Sequence, residues 1–153
     1  MSETVLVVGV GAVAGIGAAV ARKFAGAGYH VVVSGRTREK LEIVVLQIQE
    51  TGGSADYIVG DVTSDADQKR LAAIVQDRDE PLAAVIYNAG SNLPIKFEDL
   101  TPAQFEEFWR IGCFGAFLTA HHLLPILSQQ GRGSMLFTGA SASLRGRPNF
   151  AHF

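Results

Sequence analysis

The fold class this sequence predicts is α/β, a parallel sheet covered by helices on both sides, and three observations carry it. Five short runs have apolar cores, as strands buried on both faces of a parallel sheet do. Between them lie longer segments with apolar residues at helical spacing. The two kinds alternate along the chain with no internal repeat and no low-complexity linker, so residues 1–153 read as one domain.

Each element follows from local chemistry. Val5-Leu6-Val7-Val8 runs into a glycine and is the first strand. Residues 16–27 place Ile16, Val20 and Phe24 on one helical face and Arg22 and Lys23 on the other, and Gly28 terminates them. Residues 30–34 make the second strand, 38–51 the second helix, and Gly52-Gly53 breaks it. Tyr57-Ile58-Val59 is the third strand; Thr63 and Ser64 are capping residues for a helix over 65–76, and 83–87 is the fourth strand. Thr101 as cap, Pro102 at the first helical position and Gln104 three residues past the cap open a helix expected to run to about residue 129. Gly131 and Gly133 end it, and 134–138 is the fifth strand. Right-handed crossovers between parallel strands favour a doubly wound order of 3-2-1-4-5.

Composition narrows the function classes. The chain is 48% hydrophobic and 18% charged with a net charge of -2, and its 13 Lys and Arg are scattered rather than clustered. That excludes the basic patch a nucleic-acid partner needs. The single cysteine, Cys113, allows neither an intrachain disulfide nor zinc-ligand spacing, and a cytoplasmic location is expected. Residues 4–21 carry no charge, yet they follow the acidic Glu3 and are interrupted by Gly9, Gly11, Gly15 and Gly17. A buried strand entering a glycine turn accounts for them, and neither a signal peptide nor a membrane span is expected there.

That turn carries the chemistry. Gly9-Val10-Gly11-Ala12-Val13-Ala14-Gly15-Ile16-Gly17 joins the first strand to the first helix. A diphosphate needs backbone N–H groups that approach it with no Cβ in the way, and a helix N-terminus adds partial positive charge. Gly17 would let the helix lie close to the sheet. In this setting the turn marks the nucleotide-binding half of a Rossmann-type domain, the alternative being a glycine-rich turn with no ligand.

The spacing Gly11-x3-Gly15-x-Gly17 resembles the short-chain dehydrogenase/reductase family, whose loop reads Thr-Gly-x3-Gly-x-Gly; Val10 stands in place of the threonine. Asp61-Val62 after the third strand is similar to the acid and apolar residue that this family sets against adenine. Asn88-Ala89-Gly90 after the fourth strand matches the family's Asn-Asn-Ala-Gly, with Tyr87 in the first position. The resemblance implies cofactor contacts from Gly11, Val13, Ala14, Gly15, Ile16, Gly17, Arg36, Asp61, Val62, Asn88, Ala89 and Gly90. It further implies hydride transfer between nicotinamide and a small carbonyl or alcohol substrate, a homo-oligomer formed through the helix over 102–129, and sheet strands beyond the five present.

The cofactor preference is read after the second strand. An NAD site offers a carboxylate there and an NADP site a cation. The chain has Gly35 where the acid belongs, followed by Arg36, whose guanidinium can pair with a 2′-phosphate. NADP(H) is therefore expected over NAD(H), the alternative for Arg36 being a solvated side chain.

The family's catalytic groups are an Asn, a Ser and a Tyr-x3-Lys. Counting back from Gly115 puts Gly112 at the asparagine position. Aligning Leu144-Arg145-Gly146 and Pro148-x-Phe150 puts Ala140 at the serine and Phe153 at the tyrosine, and the sequence stops four residues short of the lysine. Ser141 is the nearest hydroxyl to the serine position and the one catalytic candidate retained. Two readings account for this: an incomplete chain from a branch of the family without the tyrosine, or a nucleotide-binding module that does no redox chemistry. The first is favoured, since the fifth strand would otherwise be an exposed apolar edge. His121 and His122 are adjacent on a helix and form no two-ligand face, so no metal site is expected. His152 is a candidate substitute acid/base. Cys113 and the aromatic face of Phe105, Phe108, Trp109, Phe114 and Phe117 are expected to be core.

Overall fold

The computed structural model describes residues 3–153. In chain order it contains β1 (Thr4–Val8), α1 (Ile16–Gly26), β2 (His30–Gly35), α2 (Arg38–Glu50), β3 (Ser54–Val59), α3 (Asp65–Gln76), β4 (Leu82–Tyr87), α4 (Pro102–Trp109), a π-turn (Arg110–Phe114), α5 (Gly115–Gln130) and β5 (Ser134–Phe137). All five strands are parallel and lie in the order β3-β2-β1-β4-β5, the doubly wound arrangement expected from the crossovers.

The two-faced burial of β1 organises the core. Val5 and Val7 point to one side, where Val31 and Val33 meet Ala18 and Ala21 of α1 and Leu41 and Val44 of α2. Leu6 and Val8 point to the other, where Val32 and Val85 meet Leu71 and Val75 of α3 and Leu123 and Leu127 of α5. A strand flanked this way has no polar face, which is why its sequence is apolar without alternation. Burying each such Leu or Val contributes about 1.5–3 kcal/mol.

Local signals placed several of the helix ends. The Ser64 hydroxyl accepts from the Asp67 N–H at 3.2 Å and starts α3. Thr101 and Gln104 form a reciprocal capping box at the start of α4, with Pro102 in its first turn. Gly131, at φ +67°, closes α5 in the left-handed conformation that favours glycine.

Four details differ from the sequence reading. β3 begins at Ser54, ahead of its apolar stretch, because His30 to Gly35 pairs with it along its full length. The helical stretch after Thr101 is continuous over Pro102–Gln130, but its hydrogen-bond pattern widens to a π-turn at Arg110–Phe114. Cys113, expected in the core, is exposed on that turn. The expected aromatic core face is largely open: Phe105, Trp109 and Phe117 are each about half exposed. The physical reason is that α5 meets the sheet through Leu118, Thr119, Leu123, Ile126 and Leu127, which leaves the opposite face uncovered. Over its length and composition the stretch is apolar enough to cross a membrane, but here this buried face packs it onto an α/β sheet. At the sheet edge, β5 leaves Leu136 and Phe137 half exposed.

Candidate nucleotide site

In an open α/β sheet ligands bind beyond the carboxyl ends of the strands, where the order reverses. Here that point lies between β1 and β4, and the glycine loop occupies it. The loop is held by the end of β2: the N–H groups of Gly9 and Val10 both donate to the Ser34 carbonyl at 2.9 Å. It then turns on itself through Gly15 N–H to Ala12 O at 2.8 Å. Val10, at the family's threonine position, is buried against the α1–α2 core.

Beyond the turn, α1 starts at Gly15 with no side-chain cap and no acidic residue in its first turn. Its first N–H groups are left for an outside acceptor, and the helix dipole favours a negative one. Gly11, Ala12, Ala14 and Ile16 are exposed around this end, and nothing lies within 4 Å of a Cβ placed on Gly11. Gly17 is the close-packing residue the sequence suggested: a Cβ there would sit 3.1 Å from both Asn88 Nδ2 and Gly9 O. Asn88 ties the loop to β4, its side chain donating to Gly9 O at 3.4 Å and its N–H to Val8 O at 2.8 Å. Ala89 is half-buried against Gly9, and Gly90 is exposed.

Two features escaped the sequence reading. Arg22, assigned to the solvent face of α1, instead reaches back to the loop: Nη1 donates to Val13 O at 3.1 Å and to Gln47 Oε1 of α2 at 3.2 Å. Its position one helical turn and a half along α1 gives no local sign of that reach. Gly35 also has a steric reason to be glycine. A Cβ there would lie 2.3 Å from Val10 O, so the loop's approach to β2 leaves no room for an acid at this position.

Past the ends of β2 and β3 runs an open groove of about 330 Å³, lined by Arg36 and Asp61 from those strand ends and by Glu106, Glu107, Arg110 and Ile111 from the helical stretch. Arg36 is exposed at its edge. Asp61 is held in place: one carboxylate oxygen accepts from the Thr63 N–H and hydroxyl, both at 2.8 Å. Its own N–H donates to Asp67 at 2.9 Å, and its carbonyl accepts from Gln68, which is buried and held by Thr119 of α5. The Asp61 N–H, helped by Arg70, keeps the Asp67 carboxyl below the usual carboxylate range. The Val62 side chain packs in the core under α5 and beside Gly115.

The positions of the family's catalytic groups are widely spaced in character. Gly112 sits exposed on the π-turn with open space around it. Ala140 precedes a short 3-10 turn, Ser141–Ser143. The Ser143 hydroxyl donates back to Ala140 O at 2.6 Å, whereas Ser141 is exposed. Phe153 packs on Phe150, with ring centroids 5.6 Å apart. The His152 ring lies tilted against that of Phe108 of α4, with centroids 4.5 Å apart, and both its ring nitrogens are buried without a hydrogen-bond partner. It is part of an aromatic cluster rather than open to the groove. His122 bonds Asp65 at 2.8 Å while His121 stacks on Phe117, and among the described residues no three metal-binding side chains come together.

Known proteins share this arrangement. The family model for short chain dehydrogenases matches residues 3–153. Oxidoreductase asL5 of Sarocladium schorii is 31% identical over 138 residues, 90% of this chain and 54% of that protein. Sepiapterin reductase of Chlorobaculum tepidum is 28% identical over 152 residues, 95% of this chain and 62% of that protein. The chain thus spans little more than half the length of these relatives. The crystal structure of a short-chain dehydrogenase from Rhodopseudomonas palustris superposes with a TM-score of 0.87 at 32% identity, over 99% of this chain and 70% of that one. A variant of actinorhodin polyketide ketoreductase solved with NADPH gives 0.90 at 26% identity, over 99% and 58%.

Proposed function

The chain belongs to the short chain dehydrogenase family, and from that premise we propose that it is the nucleotide-binding part of an NADP(H)-dependent oxidoreductase acting on a small carbonyl or alcohol. The observation that carries the reading is the pairing of an uncapped helix start at Gly15 with an exposed Arg36 beside the groove. The donor set fits a dinucleotide: N–H groups at the start of α1 suit a pyrophosphate, and a guanidinium suits a 2′-phosphate. Crowding at Gly35 removes the carboxylate that an NAD site would offer to the ribose. The ketoreductase that superposes on this chain was solved with NADPH, which agrees with this choice.

Gly11, Val13, Ala14, Gly15, Ile16 and Gly17 would hold the pyrophosphate side, Arg36 the 2′-phosphate, Asp61 and the Val62 backbone the adenine side, and Asn88, Ala89 and Gly90 the turn below it. The bound nicotinamide would supply the hydride chemistry. This chain's own part is to bind and orient it. Ser141 offers the hydroxyl nearest the family's serine position, and Phe153 can neither give nor take a proton. Gly112, Ala140 and Phe153 are the observation that favours a second reading, a cofactor-binding module without turnover.

The half-exposed Phe105, Trp109 and Phe117 fit a self-association face on the 102–129 stretch. A cytoplasmic setting fits a chain with one cysteine in 153 residues. Calorimetric titration tests the cofactor reading. NADPH is expected to bind at least about ten-fold more tightly than NADH, from one charge-assisted pair; equal Kd values would sink it. NADPH consumption with a panel of carbonyls then separates the oxidoreductase from the silent module.

A further inference from the structure

Tyr87 ends β4 where the family's motif has its first asparagine. It is 2% exposed, with its ring 6.1 Å from that of Phe137 on β5. Its hydroxyl donates to the carbonyl oxygen of Ile111 on the π-turn. In an unbroken α-helix that carbonyl would accept from the N–H four residues on, at Gly115. Here the Gly115 N–H reaches back five residues to Arg110 O, which is what makes the turn a π-turn. The phenol from the sheet occupies the acceptor that the helix ladder has given up.

The same contact dictates residue 115. A Cβ there would lie 2.5 Å from Tyr87 Oη and 3.0 Å from Val62 Cγ2. Burial pushes the Tyr87 phenol well above its ordinary pKa, with Asp61 and Cys113 adding to the effect, so the hydroxyl keeps its proton and stays a donor. The extra residue in a π-turn rotates the helix before it by about 100° relative to the helix after it. It therefore decides which side chains of α4 and the turn face the groove, where Glu106, Glu107, Arg110 and Ile111 now stand opposite Arg36 and Asp61.

We infer that Tyr87 and Gly115 are a coupled positioning pair, the Tyr87 hydroxyl setting the register of the helical wall of the nucleotide groove. The inference rests on the cofactor reading only for what the groove holds; the register itself is a property of the free chain. Tyr87→Phe removes one oxygen and keeps the ring. Gly115→Ala adds the excluded Cβ, and the double variant removes the oxygen that this Cβ would strike.

The test measures hydrogen exchange across residues 110–116 of the full chain without nucleotide, and NADPH affinity by titration. Tyr87→Phe is expected to alter amide protection within 110–116 and to raise the NADPH Kd about five-fold, the worth of one net hydrogen bond. Gly115→Ala is expected to weaken binding further, and adding Tyr87→Phe to it to recover part of that loss. Recovery in Kd is a readout that two independent structural defects would not produce. Unchanged exchange in Tyr87→Phe overturns the inference, as does an unchanged Kd in a chain that binds NADPH, or strictly additive effects in the double variant. If the unaltered chain bound neither NADPH nor NADH, the cofactor reading would fail, while altered exchange in Tyr87→Phe would still establish the register.

Discussion

Replacing Gly35 with alanine is expected to damage the nucleotide loop although no charge changes. The added Cβ would stand 2.3 Å from Val10 O, so the loop must retreat by about 0.7 Å to restore even a 3.0 Å contact. The retreat acts on two hydrogen bonds, from Gly9 N–H and Val10 N–H to the Ser34 carbonyl, each 2.9 Å long and buried beside the core. At about 1 kcal/mol per bond, and with some loss of packing around Val10, the cost is roughly 2–3 kcal/mol. For a chain of this size that corresponds to a fall in Tm of about 5–10 °C. NADPH affinity should fall in parallel, because the displaced loop carries the N–H groups proposed to cradle the pyrophosphate. Gly35→Asp is the sharper case. It installs the carboxylate of an NAD site, yet should lose NADPH binding without gaining NADH binding. Thermal melts and calorimetric titration with both nucleotides measure all of this. An alanine variant with an unchanged Tm, or an aspartate variant that binds NADH well, would refute the steric reasoning and leave Gly35 as a matter of charge alone.

Other expected outcomes rest on single contacts. Arg36→Gln should weaken NADPH binding by about ten-fold or more and leave NADH nearly unaffected, as loss of a charge-assisted phosphate pair requires; parallel losses for both would assign Arg36 a structural role. Thr101→Ala removes the capping box of α4 and should cost about 1 kcal/mol in chemical denaturation, whereas Thr101→Ser should recover most of it. The Asp67 carboxyl titrates below its ordinary value in the folded chain, so its contribution is present above the usual carboxylate range and lost as pH falls through the folded value. Asp67→Asn should accordingly flatten the acid limb of the stability curve, and an acid limb of unchanged slope would contradict the assignment. Tyr57 donates to Glu42 at 2.7 Å and its phenol is held above its ordinary value, chiefly by that bond. Ultraviolet titration should show its ionisation moving down in Glu42→Gln.

The place of the candidate site in the fold was legible because the signals for it are local. The glycine spacing, Arg36 after β2 and Asn88 after β4 are short motifs whose meaning depends only on a strand ending just before them. The same holds for the caps at Ser64 and Thr101, where the hydrogen bond closes within three residues. What escaped was set by partners distant along the chain. Arg22 follows its helical pattern, and only the fold brings Val13 O and Gln47 within its reach. Cys113 and the Phe105-Trp109-Phe117 face look like core by composition. An amphipathic helix buries one stripe, and here the stripe that meets the sheet is the Leu118-Leu123-Leu127 one.

The alternation of strands and helices, the parallel doubly wound order and the family could all be read along the chain, because buried parallel strands have no polar face and the spacing Gly11-x3-Gly15-x-Gly17 is the family's. Tertiary structure alone decided three things. It made Gly35 sterically obligatory through Val10 O, left the aromatic face of α4 and α5 open, and set a π-turn into the long helix at Arg110–Phe114. Helical periodicity encodes contacts three and four residues apart. The competition for the Ile111 carbonyl involves a hydroxyl 24 residues away on the neighbouring strand, so it arises only once the sheet has brought Tyr87 beneath the helix.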